Sequence, residues 1–452
     1  MNPTWANDAI FYHIYPLGLC GAPPRNDFGA APVPRLEQLY PWLDHIQGLG
    51  ATALYLGPLF ESTAHGYDTA DYFQLDRRLG DRATLAAFAR EVHRRGLRLV
   101  LDGVFNHVGR DFWAFRGLQA NRQHSPYAGW FQGVDFGRTS PYGDAFGYEG
   151  WNGHYDLVKL NLGHPEVRAH LFEAVRGWVE EFEIDGLRLD AADVIPEDFL
   201  AALAGHCRGL RGDFWLMGEM VHGDYRRLAN PRLLHATTNY EAYKSLYSSH
   251  NDRNYFELAY ALNRQSGRAG LYRDLALYTF ADNHDVDRLA SSLHNPAHLY
   301  PAYLLLFSMP GIPSIYYGSE WGTAGRRTAH SDTGLRPAFS LQGAPRPHPD
   351  LAGVIAHLAR LRQSSTALRR GDYVELLVVA EQLAFWRAHA EGAMLVAVNA
   401  SAAPAALRLR LPVRQGRLRD CLNPGESFVI ENYQAVLAPI AAYWGRILAV
   451  EE

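Results

Sequence analysis

Short apolar runs alternate, over the first three quarters of the chain, with stretches whose apolar positions recur at helical spacing. "AIFYHIYP" (9–16) is followed by Leu36, Leu39, Trp42, Leu43, Ile46 and Leu49, then by "TALYLG" (52–57), a helical pattern near 82–95, and "LRLVLDGV" (97–104). A continuous apolar run reads as a strand covered on both faces, and a one-sided helical pattern as its cover. "DGLRLD" (185–190), "FWLMGE" (214–219), "HATTN" (235–239), "LYTFADNHD" (277–285) and "PSIYYG" (313–318) bring the strands to eight. Eight β–α units, at roughly 250 residues plus insertions, predict a (β/α)8 TIM barrel. An open doubly wound sheet would want a GxGxxG turn after an early strand, and none stands there.

Two segments break the alternation. Residues 108–164, after the third strand, are rich in Gly, Tyr, Trp and Asp and too long for a connection, which predicts a small inserted subdomain. From about 372 come short strand-like runs ("YVELLVVA", "QLAFWRAH", "AMLVAVNA", "ALRLRLP", "SFVIENY", "QAVLAPIAAYWG"), the pattern of a C-terminal antiparallel β-sandwich. The expected division is a barrel over 1–107 and 165–371, the insertion over 108–164 and the β-domain over 372–452.

Charged residues recur where the barrel strands end: Asp102 in "LVLDGV", Arg188 and Asp190 in "GLRLD", Glu219 in "WLMGE", His284 and Asp285 in "FADNHD". From Asp190 to Glu219 is 219−190=29 residues, about one β–α unit, and from Glu219 to Asp285 is 66, about two. These carboxylates therefore top different strands of one ring and converge. Gathered acids repel one another and lose hydration, a cost that makes sense where a reaction develops positive charge. Glycoside hydrolysis is such a reaction, with one carboxylate as nucleophile and a second, protonated, as acid. Arg188 is expected to hold Asp190 ionised. A lone strand-end Asp is more often a helix cap, and Asp193 is read that way for the helix in "PEDFLAALAG". A metal hydrolase fits poorly, because neither HxH, HExxH nor CxxC occurs, and a serine hydrolase lacks its GxSxG elbow.

"DGVFNH" (102–107), "GLRLDAADV" (186–194), "GEM" with Glu219 and "FADNHD" (280–285), with "HGYDTADY" (65–72) and "MPGIPSIYYGSEWG" (309–322), resemble in order the signature regions of the α-amylase family of glycoside hydrolases. The resemblance implies Asp190 as nucleophile, Glu219 as general acid/base and Asp285 as the third carboxylate, holding sugar hydroxyls. Tyr67, Asp102, His107, Arg188 and His284 would surround the reacting sugar, and Asp332 with Arg336 would anchor its neighbour. "LVKLN" (157–161) is similar to the "MPKLN" motif of the neopullulanase, cyclomaltodextrinase and maltogenic-amylase branch, which implies maltooligosaccharides or cyclodextrins as substrates. The sequence starts at the first barrel strand, without the N-terminal β-domain of many enzymes in that branch. Calcium in this family is held by an Asn like Asn106 and a His shortly after the nucleophile. "DAADVI" has no such His, so no metal and no cofactor is expected. The alternatives are a transglycosylating or trehalose-forming enzyme using the same carboxylates, and a non-catalytic sugar-binding or transporter-accessory relative, which would be expected to have lost one of them. Aromatics near strand ends and in the insertion, Tyr12, Trp113, Trp130, Tyr148 and Trp151, are further candidates for sugar contacts.

Charge adds exclusions. With a net charge of −5 over 452 residues and no long Lys/Arg run, the chain offers no footprint for nucleic acid or an anionic membrane. No apolar run approaches the roughly 18 residues of a membrane span, and the first residues lack a signal-peptide pattern. Cys20, Cys207 and Cys421 are odd in number and far apart, as in a reducing compartment, so a cytoplasmic location is expected. Nothing in the sequence assigns an oligomeric state.

Overall fold

Eight parallel strands form one ring in the computed structural model, which describes residues 4–329 and 331–451. They are β1 (Phe11–Ile14), β2 (Ala53–Leu56), β3 (Arg98–Gly103), β4 (Gly186–Leu189), β5 (Trp215–Gly218), β6 (Ala236–Thr237), β7 (Tyr278–Phe280) and β8 (Ile312–Tyr316). Their order is β6-β5-β4-β3-β2-β1-β8-β7. A parallel bridge from Thr238, just past β6, to Tyr278 of β7 joins the two ends. The barrel and its C-terminal β-domain are those the sequence predicts.

Each strand alternates between two cores, because successive side chains point to opposite faces. Phe11, Ala53, Tyr55, Val100, Trp215, Met217, Ala236, Tyr278, Phe280 and Ile312 pack inside the ring. Ile10, Tyr12, Leu54, Leu99, Leu101, Leu187, Leu189 and Leu216 pack outward against the helices. Tyr12 is therefore no sugar contact: it is fully buried and donates to Glu320 Oε1 at 2.7 Å on the helix side. The same alternation explains the charged strand ends. Arg188 shares the inward phase of β4 with Asp190, just past the strand, and pairs in register with Asp102 and Met217.

The covering helices include Arg82–Arg94, started by a reciprocal capping box between Asp81 and Thr84, and Pro165–Phe182, with Pro at its first position. Asp193 caps nothing. It lies in a 3-10 turn over Ala192–Val194, and the following helix, Glu197–Leu210, starts from Pro196 without a side-chain cap. After β2, an antiparallel hairpin (Phe60–Ser62 with Thr69–Leu75) is braced by the buried pair Arg78–Asp76 at 2.7 Å, and its tip carries Tyr67. The insertion is a helix, Trp113–Asn121, and a three-stranded sheet of His107–Gly109, His154–Lys159 and Gly150–Trp151. Trp130 and Tyr148 are buried in its core, whereas Trp113 keeps 40% of its surface.

The C-terminal domain adds β9 (Asp372–Val378), β10 (Gln382–His389), β11 (Gly392–Asn399), β12 (Ala405–Arg410), β13 (Gly416–Asp420), β14 (Ser427–Ile430), β15 (Gln434–Ile440) and β16 (Trp444–Glu451). One sheet runs β9-β10-β11-β16-β13-β14 and a second pairs β12 with β15. "QAVLAPIAAYWG" is two strands rather than one, broken at Tyr443, whose φ is 55°. Two fully buried arginines, Arg362 of the barrel and Arg387 of the β-domain, meet at the end of helix Leu299–Ser308, and Arg387 joins the two domains. Arg362 donates to Phe307 O and Met309 O, and Arg387 of β10 to Ser308 O, satisfying carbonyls at the end of helix Leu299–Ser308, while Arg387 also donates to Gly371 O. Among the described residues no helix is long and apolar enough to cross a membrane.

Candidate active site

One guanidinium organises the C-terminal mouth of the barrel. Arg188 Nη1 donates to Asp102 Oδ1 (3.0 Å) and Asp190 Oδ1 (2.8 Å), while Nη2 lies 2.9 Å from Glu219 Oε2. Asp190 and Glu219, 29 residues apart in sequence, thus face each other across a single side chain. Backbone geometry reinforces the pair. Ala191 takes a left-handed conformation (φ 46°), strained for a residue with a Cβ, and aims its N–H at Glu219 Oε2 at 3.0 Å.

Asp102 is 2% exposed, and its oxygens are committed to protein groups: Arg188, the Tyr55 hydroxyl at 2.8 Å and the Tyr67 hydroxyl at 3.2 Å. It anchors Arg188 from below. Three carboxylates therefore share one cation, so the pull of Arg188 on Asp190 is divided. Burial pushes the Asp190 carboxyl well above the usual carboxylate range; Arg188 opposes this, but Glu219 and Asp102 add to it.

Asp285 sits in the opposite situation. Its Oδ1 accepts from Arg336 Nη2 at 2.9 Å, and its Oδ2 lies 2.8 Å from His284 Nε2. Burial alone would raise its pKa, yet His284, Arg336 and Arg188 hold it well below the usual range. Arg336 also bonds Asp332 at 3.2 Å, and Arg327 bonds Asp332 at 2.6 Å, so the pair read from "SDTGLRP" reaches the site through Asp285.

His107 shows how a tautomer is set. Asn106 Nδ2 donates to its Nδ1 at 3.1 Å, which leaves the proton on Nε2. That Nε2 is buried without a protein partner, 3.8 Å from Asp190 Oδ2. Burial, with His65 nearby, depresses the ring's pKa to about 3, so His107 is a neutral donor facing the pocket. Trp151 packs against His107 (5.3 Å between centroids, planes 30° apart) and His154 (6.2 Å, 26°). Tyr67 stacks on His284 with 5.5 Å between centroids, and its hydroxyl meets His284 Nε2.

Residues that the sequence did not single out complete the arrangement. Tyr55 supports Asp102. The Tyr240 hydroxyl, 3.4 Å from Glu219 Oε1, is the neighbour of that oxygen and accepts from Asn283 Nδ2 at 3.3 Å. His13 stacks on Tyr55 (4.2 Å) beneath the site. Tyr55 and His13 carried a sequence signal, since they share the inward phase of their strands with Ala53 and Phe11.

With converging carboxylates at the mouth of a parallel barrel, comparison with known proteins becomes specific. Residues 36–342 match the family described as "Alpha amylase, catalytic domain". The chain belongs to the α-amylase family of glycoside hydrolases. It is 31% identical over 429 residues to a cyclomaltodextrinase of a Bacillus species, an alignment covering 90% of this chain and 75% of that protein. Its fold superposes on the cyclic α-maltosyl-(1→6)-maltose hydrolase of Arthrobacter globiformis with a TM-score of 0.82 at 28% identity, covering 100% of both chains. The debranching enzyme of Nostoc punctiforme gives a TM-score of 0.83 at 26% identity, covering 99% of each chain.

For the family's metal, the residues fit poorly. The turn after Asp190 offers no His to stand with Asn106, and among the described residues no group of three or more His, Cys, Asp or Glu side chains is arranged to hold an ion.

Proposed function

We propose that the protein hydrolyses α-1,4-glucosidic bonds of maltooligosaccharides or cyclodextrins with retention of configuration, through a glycosyl-Asp190 intermediate. The observation that carries this reading is the grip of Arg188 on Asp190 and Glu219 together. Carboxyl groups bound to the two terminal nitrogens of one guanidinium suit the roughly 5 Å separation of double displacement, not the wider gap that admits a water between acid and base.

Roles follow from what each oxygen is bound to. Asp190 Oδ1 is held by Arg188, so Oδ2 attacks the anomeric carbon. Glu219 Oε2 is held by Arg188 and the Ala191 N–H, so Oε1 carries the proton to the glycosidic oxygen and later takes one from water. In the first step Glu219 gives its proton to the leaving oxygen while the Asp190 carboxylate attacks. Asp285, held ionised, binds sugar hydroxyls and favours the distorted ring. His107 donates Nε2–H to the same sugar. Asp102 acts through Arg188.

The full-length likeness to proteins named as a cyclic α-maltosyl-(1→6)-maltose hydrolase and a debranching enzyme supports widening the substrate set to α-1,6-containing glucans. The reaction is proposed to need no calcium. Its place is proposed to be the cytoplasm, with three free cysteines in support. The test is a time course of products, with their anomeric configuration by NMR, from maltoheptaose, β-cyclodextrin and cyclic α-maltosyl-(1→6)-maltose. α-Anomeric maltose or glucose at early times supports the reading, and β-anomeric products or no turnover overturn it.

A further inference from the structure

We propose that Asn152 is a self-modification site, at which slow loss of the side-chain amide ages the catalytic mouth. The mechanism does not use this residue, and the consequence for turnover rests on the functional reading above. Asn152-Gly153 is the one Asn-Gly pair in the chain. It forms the two-residue loop between Trp151 and His154, which face each other across the insertion's hairpin. Both loop residues take positive φ, 50° and 82°, as the mirror-image hairpin turn demands, and Asn-Gly meets that demand at least cost. Folding accounts for the dipeptide, and its chemistry comes with it.

With no Cβ on Gly153, its main-chain nitrogen is unhindered. That nitrogen bonds to the side-chain carbonyl carbon of Asn152, the amide nitrogen departs as ammonia, and a cyclic imide results. Water then opens the imide at either carbonyl, leaving aspartate or isoaspartate. Water enters, ammonia leaves, and no other reactant is needed. Imide closure requires the Asn152 backbone to rotate out of the turn, so the cost of opening the turn governs the rate. That cost is low here. Asn152, Gly153 and His154 are exposed, and a Cβ added to Gly153 would meet no atom within 4 Å. The end of the hairpin is held by two rungs, Gly150–Val158 and Trp151–His154, with a register shift between them. Exposed segments with few packed neighbours open at small free-energy cost.

One side chain connects this turn to the reacting centre. Trp151 packs on His107 with 5.3 Å between centroids, and His107 Nε2 lies 3.8 Å from Asp190 Oδ2. Isoaspartate routes the main chain through the side-chain carbons, so the loop gains an extra backbone atom and a negative charge, and the tight turn no longer closes. Trp151 then loses its seat against the His107 ring. An aromatic contact of this kind is worth up to about tenfold in an equilibrium.

Wild type and Asn152→Gln would be held in mildly alkaline buffer, sampled over time by peptide mass mapping with isoaspartate detection, and assayed on maltotriose. Wild type is expected to lose its amide at Asn152 faster than at any other asparagine. Its kcat/KM should fall in step with isoaspartate, to about a tenth at full conversion. Asn152→Gln, whose longer side chain closes an imide far more slowly, should keep its own starting rate over the same period. Amide loss no faster at Asn152 than elsewhere, isoaspartate accumulating there with kcat/KM unchanged, or Asn152→Gln decaying alongside wild type would each overturn the proposal. Failure of the functional reading looks different: fresh wild type would not turn over maltotriose at all, while mass mapping would still report the modification.

Discussion

The two flanks of the pocket hold their carboxylates by opposite arrangements of charge. On the flank built by β3, β4 and β5, Asp102, Asp190 and Glu219 divide one guanidinium, and the Asp190 carboxyl is driven up. On the flank built by β7 and the segment after β8, Asp285 has both an arginine and a histidine, and is driven down. The same residue type at the same mouth has its pKa pushed up where three carboxylates share one cation and down where an arginine and a histidine serve one carboxylate. Proton transfer needs a pKa near working pH, whereas steering an oxocarbenium-like state needs a charge that never switches off.

That contrast can be broken most forcefully at the chemistry. Asp190→Asn or Glu219→Gln should each lower kcat/KM on maltotriose by roughly four orders of magnitude or more, as for other catalytic units; either variant within tenfold of wild type would dissolve the distinction between the flanks. A smaller effect sharpens it. Asp190 binds its proton more tightly in the fold than in the unfolded chain, so its ionisation costs stability above the unfolded pKa of about 4, and Asp190→Asn should melt about 2 °C higher at pH 7. Asp285 has the reverse sign. Its depressed pKa contributes stability that is complete above about pH 4 and lost in acid, so Asp285→Asn should melt lower by a similar amount at pH 7, with the gap closing toward pH 3. Melting curves of both variants across pH check this, and shifts of one sign would refute it. The least effect is expected from chelation: activity and melting in excess EDTA should match those in added calcium, since no His follows Asp190 to complete the family's metal site.

Much of this arrangement was legible in the sequence because parallel barrel strands are apolar on both faces, so an acid at a strand's C-terminal end stands out. Asp102, Asp190, Glu219 and Asp285 were found that way, and the structure brings them to one mouth. What escaped was set by contacts between distant segments. Tyr240 meets Glu219 from the helix after β6, a strand of only two residues with almost no pattern of its own. The sharing of Arg188 was invisible because "GLRLD" shows only the local neighbour and not Asp102, 86 residues earlier. Asp193 misled because a cap was expected where a 3-10 turn and Pro196 begin the helix. β13 and β16 went unseen, the first because arginines alternate with its few apolar residues and the second because the turn at Tyr443 carries no Gly or Pro.

The buried Arg387 between barrel and β-domain bears on how the enzyme could be miniaturised. Truncation before β10 would remove Arg387, the donor to Ser308 O, and open to water the chain that leads straight into β8. The segment after β8 carries Arg336, so trimming the sandwich away would loosen a catalytic flank that it never touches.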